Sequence, residues 1–132
     1  MNKNESHETS DGAVDHLYGL QEMSIGGVAF RVFRNGPQTM AELYQAAVQH
    51  SDNEFLIGLD WSMTYREVFG RAEALSRDLA ARGVKKGDRV AIAMHNSAEW
   101  IIAFIGITAC GATATLINYR ASGDELARMV SD

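Results

Sequence analysis

The sequence predicts an α/β chain: a parallel, Rossmann-like sheet made of βαβ units, with helices on both faces. Three observations carry that prediction. Val90 to Met94 and Ala112 to Ile117 are short apolar runs without alternation, the pattern of parallel strands covered on both sides. Between them, Ser97 to Cys110 is apolar almost all round (Trp100, Ile101, Ile102, Phe104, Ile105, Ile107), so it reads as a buried helix. Gly111 then supplies a left-handed stop. A strand, a crossover helix and a second strand close right-handed, which leaves the two strands parallel.

Each element follows in chain order. Residues 1–16 are charged and polar without periodicity and read as a disordered tail. Residues 17–38 form an extended lead-in, where Gly26 and Gly27 suit a two-residue hairpin turn between Met23–Ile25 and Val28–Phe33. Residues 39–132 read as part of an α/β subdomain. Thr39 caps a helix with Glu42 in box position and Leu43, Tyr44, Ala47 and Val48 as its apolar face. Glu54 to Leu59 is a strand, Asp60 and Trp61 a turn, and Ser62–Met63 a short return. Thr64 and Glu67 make a second capping box, opening a helix that runs to about Arg82 with Val68, Ala72, Leu75 and Leu79 on one stripe. Its other face carries Glu67/Arg71, Glu73/Arg77 and Asp78/Arg82 at i, i+4; each pair is worth about 0.3 kcal/mol and marks a solvated face. Asn96 is placed to cap the buried helix, with Glu99 three residues on. Ser122 to Glu125 open a further helix near the last residue.

Composition narrows the function classes. The chain has 132 residues, 46% hydrophobic, enough for one domain that buries roughly two thirds of its unfolded surface. Net charge is −5 and no basic patch occurs, which argues against a nucleic-acid partner. Cys110 is the single cysteine, so no internal disulfide can form and a reducing cytoplasm is expected. The uncharged stretch from Trp100 to Ile117 is about long enough to span a bilayer, but Gly106, Gly111 and its β-branched second half divide it into a helix and a strand. No transmembrane segment is therefore expected.

Few residues offer chemistry. His7, His16, His50 and His95 are scattered, and no metal-ligand spacing exists. There is no Gly-x-Ser-x-Gly elbow, and Gly83 and Gly87 lead into a strand instead of cradling a phosphate. No catalytic residue is assigned. His95 and Arg120 each follow the carboxyl end of a parallel strand, where α/β sheets place their ligands. The plainer accounts are a polar loop residue beside a cap for His95 and a surface arginine for Arg120.

The chain also resembles a known family. Thr64-Tyr65-Arg66-Glu67, Arg82 to Ile92 (RGVKKGDRVAI), Asn96-Ser97-Ala98-Glu99, Gly111-Ala112 and Leu116 to Arg120 (LINYR) are similar, in order and spacing, to the first block of AMP-forming acyl-CoA synthetases, of the adenylate-forming superfamily. The family usually has proline where this chain has His95, and Pro-Leu-Asn where it has Leu116-Ile117-Asn118. The resemblance covers roughly Thr39 to Asp132 and implies the N-terminal part of a large domain. It implies a ligase that uses ATP, Mg²⁺ and CoA to make an acyl-adenylate and then an acyl-CoA, as in fatty acid metabolism. The family's phosphate loop and catalytic lysine have no counterpart here, so the chain alone is expected to be inactive. By the same resemblance, Arg120 is a candidate contact for the 3′-phosphate of CoA. The implied partner is the remainder of the ligase, or a second copy through an exposed sheet edge. A non-catalytic interaction module, or a decayed or truncated ligase, is the alternative.

Overall fold

The computed structural model describes residues 19–131, and the chain divides into two compact units, Met1–Gln38 and Thr39–Asp132. The expected tail of residues 1–16 lies outside the described residues.

In the first unit, β1 (Leu20–Ile25) and β2 (Val28–Phe33) pair antiparallel from Ile25↔Val28 to Leu20↔Phe33. Gly26 and Gly27 adopt φ of 60° and 84°, the primed turn that matches strand twist and that side chains resist. Alternation along the pleat puts Met23, Ile25, Val28, Phe30 and Val32 on one face. Of these, Met23, Ile25, Val28 and Phe30 stay exposed.

The second unit opens with α1 (Met40–Ala47), whose first turn is held by Thr39 Oγ1 accepting from the Glu42 amide at 3.1 Å. Its packed stripe is narrower than the sequence suggests. Tyr44 and Ala47 are half-buried, whereas Leu43 and Val48 are exposed. The α-helix ends at Ala47, and a tighter 3₁₀ turn over Val48–His50 takes Val48 off that stripe. The antiparallel pair β3 (Glu54–Ile57) and β4 (Ser62–Thr64) follows. Here the strand is shorter than expected: Gly58 already turns, its amide donating to the Trp61 carbonyl at 2.8 Å.

Helix α2 (Tyr65–Ala81) starts with the expected capping box, the Glu67 carboxylate accepting from the Thr64 amide at 2.8 Å while Thr64 Oγ1 accepts from the Glu67 amide. These bonds from Thr64 hold the Glu67 carboxyl below the ordinary carboxylate value. Committed to the cap, Glu67 forms no ion pair with Arg71; Asp78 and Arg82 do pair, at 2.7 Å. Val68 and Ala72 are fully buried on the predicted stripe. The helix ends where Gly83 (φ 94°) donates to Ala80 and Val84 donates to Leu79, a Schellman stop whose two outer residues, Leu79 and Val84, pack on the same core. Lys85 to Asp88 then form a turn clasped by Asp88 Oδ2 accepting from the Lys85 amide. The glycine-rich segment is thus a stop and a turn.

Strand β5 (Arg89–Ile92), helix α3 (Ala98–Ala109) and strand β6 (Thr113–Leu116) make the expected βαβ unit, with a parallel register from Arg89↔Thr113 to Ile92↔Leu116. The cap of α3 is Ser97, not Asn96: the Ser97 hydroxyl accepts from the Trp100 amide at 3.3 Å. A short hydroxyl at this position reaches the third helical amide, which moves Glu99 to the second helical position. The Glu99 carboxyl lies below its ordinary value because of its own backbone amide and the Ser97 hydroxyl, with Arg71 and His95 adding attraction. Ile102, Ala103, Ile105, Gly106 and Ile107 are buried, while Trp100 and Phe104 stack 5.6 Å apart at the half-buried margin. Tyr44 ties α1 to this helix through a 2.6 Å hydroxyl pair with Thr108. Ile92, Val90 and Ala114 face α3. On the opposite sheet face, Ala91 and Thr115 meet Met129 and Val130 of α4 (Gly123–Ser131) across an open cleft of about 400 Å³. The fold is α/β, with helices on both faces of the parallel pair.

Candidate functional site

The parallel register brings the carboxyl ends of β5 and β6 level, since Ile92 pairs with Leu116 and the Ile117 amide donates to the Ile92 carbonyl at 2.9 Å. The two loops that leave these ends therefore start side by side. One carries His95 and the other Asn118, Tyr119 and Arg120.

The second loop is set by hydrogen bonds within itself. The Ala121 amide donates to the Asn118 carbonyl at 3.0 Å, and Asn118 Oδ1 accepts from the Arg120 amide at 3.0 Å. Asparagine suits this place because its side chain can stand in for a backbone acceptor. Arg120 Nε donates to the Tyr119 hydroxyl at 3.0 Å, with the guanidinium carbon 5.5 Å from that ring's centroid. The His95 ring meets Tyr119 edge-on, centroids 6.0 Å apart. The two site residues named from sequence, His95 and Arg120, are thus joined through Tyr119, which sequence reasoning passes over.

Helix α4 begins three residues after Arg120, but its N-terminus is already served. Glu125 accepts from the Ser122 amide at 2.8 Å and from the Ser122 hydroxyl at 3.0 Å, which lowers the Glu125 carboxyl. With Asp124 also in the first turn, any anion at this end must rely on Arg120 and not on the helix dipole.

The remaining candidates are structural. His50 contacts the Tyr65 ring at 5.9 Å, and the Cys110 thiol donates to the Ile107 carbonyl at 3.1 Å on the half-buried end of α3. His7 and His16 lie outside the described residues. Among the described residues, no group of three His, Cys, Asp or Glu side chains could hold a metal ion. Nor is any helix among them long and apolar enough to cross a membrane.

Comparison with known proteins gives the chain a family. Residues 43–132 match the AMP-binding enzyme family. The chain is 35% identical over 94 residues to the medium/long-chain-fatty-acid–CoA ligase FadD6 of Mycobacterium tuberculosis, covering 70% of this chain and 16% of that protein. It superposes on the o-succinylbenzoate coenzyme A synthetase MenE of Bacillus subtilis, solved with AMP, at a TM-score of 0.61 and 32% identity, over 68% of this chain and 24% of that one. The inhibitor-bound N-terminal domain of FACL13 from Mycobacterium tuberculosis gives a TM-score of 0.64 at 31% identity, over 72% and 25%. The chain thus spans about a sixth of the length of the ligase FadD6. With the family's match running over most of the second unit and its fold shared with these N-terminal domains, this chain belongs to the AMP-binding enzyme family.

Proposed function

We propose that this chain is the N-terminal part of an ATP-dependent, AMP-forming carboxylate–CoA ligase. In that reaction a carboxylate oxygen attacks the α-phosphorus of ATP and pyrophosphate leaves. The CoA thiol then attacks the acyl carbon and AMP leaves. The observation that carries this reading is the 94-residue likeness to a fatty-acid–CoA ligase. The acid itself stays open between classes, because relatives at similar identity are named for fatty acids and for hydroxybenzoates. The same reading puts the chain in the cytoplasm, with the rest of the ligase as its partner.

The residues present fit one part of the chemistry. Arg120 offers a planar fork of donors suited to a phosphate, and on this reading it takes the 3′-phosphate of CoA. Among the described residues no donor set fits Mg²⁺, and on this reading the metal and the phosphates of ATP are held by the remainder of the ligase. The isolated chain should therefore show no carboxylate-dependent ATP–pyrophosphate exchange above a no-protein control; exchange by a ligase-free preparation would overturn that assignment.

The role of Arg120 has its own test, in the complete ligase carrying this chain. A charge-assisted contact contributes about 1.5–3 kcal/mol, so Arg120→Ala should raise the KM for CoA roughly ten- to a hundredfold. Adenylation, which precedes CoA, should be nearly unchanged. Dephospho-CoA lacks the 3′-phosphate and should not distinguish variant from parent. An equal loss with both thiols would leave Arg120 a surface residue.

A further inference from the structure

We infer that Tyr119 is the positioning residue for Arg120: its hydroxyl holds the Nε side of the guanidinium, so that the two terminal nitrogens face a nucleotide 3′-phosphate. This rests on the reading of Arg120 as a phosphate contact and adds to it how the side chain is aimed. An arginine can meet an anion by its Nε edge or by its end. Here the Nε–H is committed to the Tyr119 hydroxyl at 3.0 Å, which leaves the four N–H groups of the end. Among the described residues no other side chain bonds that end. Tyr119 itself is 47% exposed, so burial in a core is not what the ring supplies. It is steadied instead by the edge-on contact with His95 of the neighbouring loop, and its backbone by the turn that Asn118 closes. A free arginine gives up rotamer freedom when it binds an anion; one already held gives up less. Tyr119 thus makes Arg120 ready before the ligand arrives.

The test uses the complete ligase carrying this chain and the side-chain Nε–Hε resonance of Arg120. In the unaltered chain this proton should exchange slowly with water, as a hydrogen-bonded one does; fast exchange would overturn the inference without any substitution. Titration with adenosine 3′,5′-bisphosphate should shift the resonance, and adenosine 5′-monophosphate should not. Tyr119→Phe keeps the ring and its contact with His95 and removes only the hydroxyl. It should weaken the bisphosphate response about three- to tenfold, the cost of ordering one arginine side chain that is no longer held in advance. If the unaltered chain fails to prefer the 3′-phosphate, the assignment of Arg120 falls and this inference with it. If the preference is present and Tyr119→Phe titrates like the parent, Arg120 keeps its role and Tyr119 loses its own.

Discussion

Replacing Ile92 with alanine is expected to lower the stability of the chain by about 2–5 kcal/mol, read as the shift of a urea unfolding midpoint. Ile92 is 2% exposed and ends β5 against Ala103, Ile107 and Ala112. Ala103 and Ile107 are fixed in a helix and Ala112 is small, so they cannot collapse into the vacated volume. The loss therefore combines the transfer of the missing carbons with the cavity they leave. Ile92→Val removes one methylene and should cost about 0.5–1.5 kcal/mol. Ile57→Ala is the matched control, since Ile57 is 72% exposed and should move the midpoint by no more than about 0.5 kcal/mol. Equal losses at positions 57 and 92 would mean that the second core cluster is not packed as described.

Gly106→Leu should cost about 3 kcal/mol for the opposite reason, because there is no room to fill. A Cβ at position 106 would sit 2.9 Å from the Ala72 carbonyl oxygen and 3.1 Å from Leu75 Cδ2, where α3 crosses α2. The oxygen is backbone and cannot swing aside, so the helices must part. Gly106→Ala should be milder, about 1–2 kcal/mol, since alanine returns roughly 1 kcal/mol of helix propensity. Gly70 in α2 meets nothing within 4 Å, so Gly70→Ala has the propensity gain alone and should stabilise by up to about 1 kcal/mol. If thermal or urea unfolding found alanine equally welcome at both glycines, the close helix crossing would be refuted.

What the sequence could tell depended on periodicity. The βαβ unit was legible because an apolar run without alternation and a helix apolar on most sides leave few other solutions. The Thr64–Glu67 box was legible for a similar reason, since both partners are local. The cap of α3 slipped by one residue because Asn96 and Ser97 are equally good formers, and only the helix's own phase chooses between them. The apolar face of α1 was overread where a change of helix type at Val48 broke the 3.6-residue spacing. The candidate site was half legible. His95 and Arg120 could be placed at strand ends, but their meeting depends on Ile92 lying level with Leu116, and register between distant strands is written in no local pattern. Tyr119 escaped for the further reason that an exposed loop tyrosine carries no periodic signal.

The βαβ unit also fixes an order of events. Parallel pairing is slow when a long, floppy loop must close before any contact rewards it. Here the connection from Ile92 to Thr113 is taken up largely by the 12 residues of α3, which shorten it once they are coiled. Helices form in about a microsecond or less, well before distant strands find each other. The small hydroxyl of Ser97 and the glycine at 111 therefore act on time as well as on geometry: by setting where α3 begins and ends, they set how quickly β6 can reach β5.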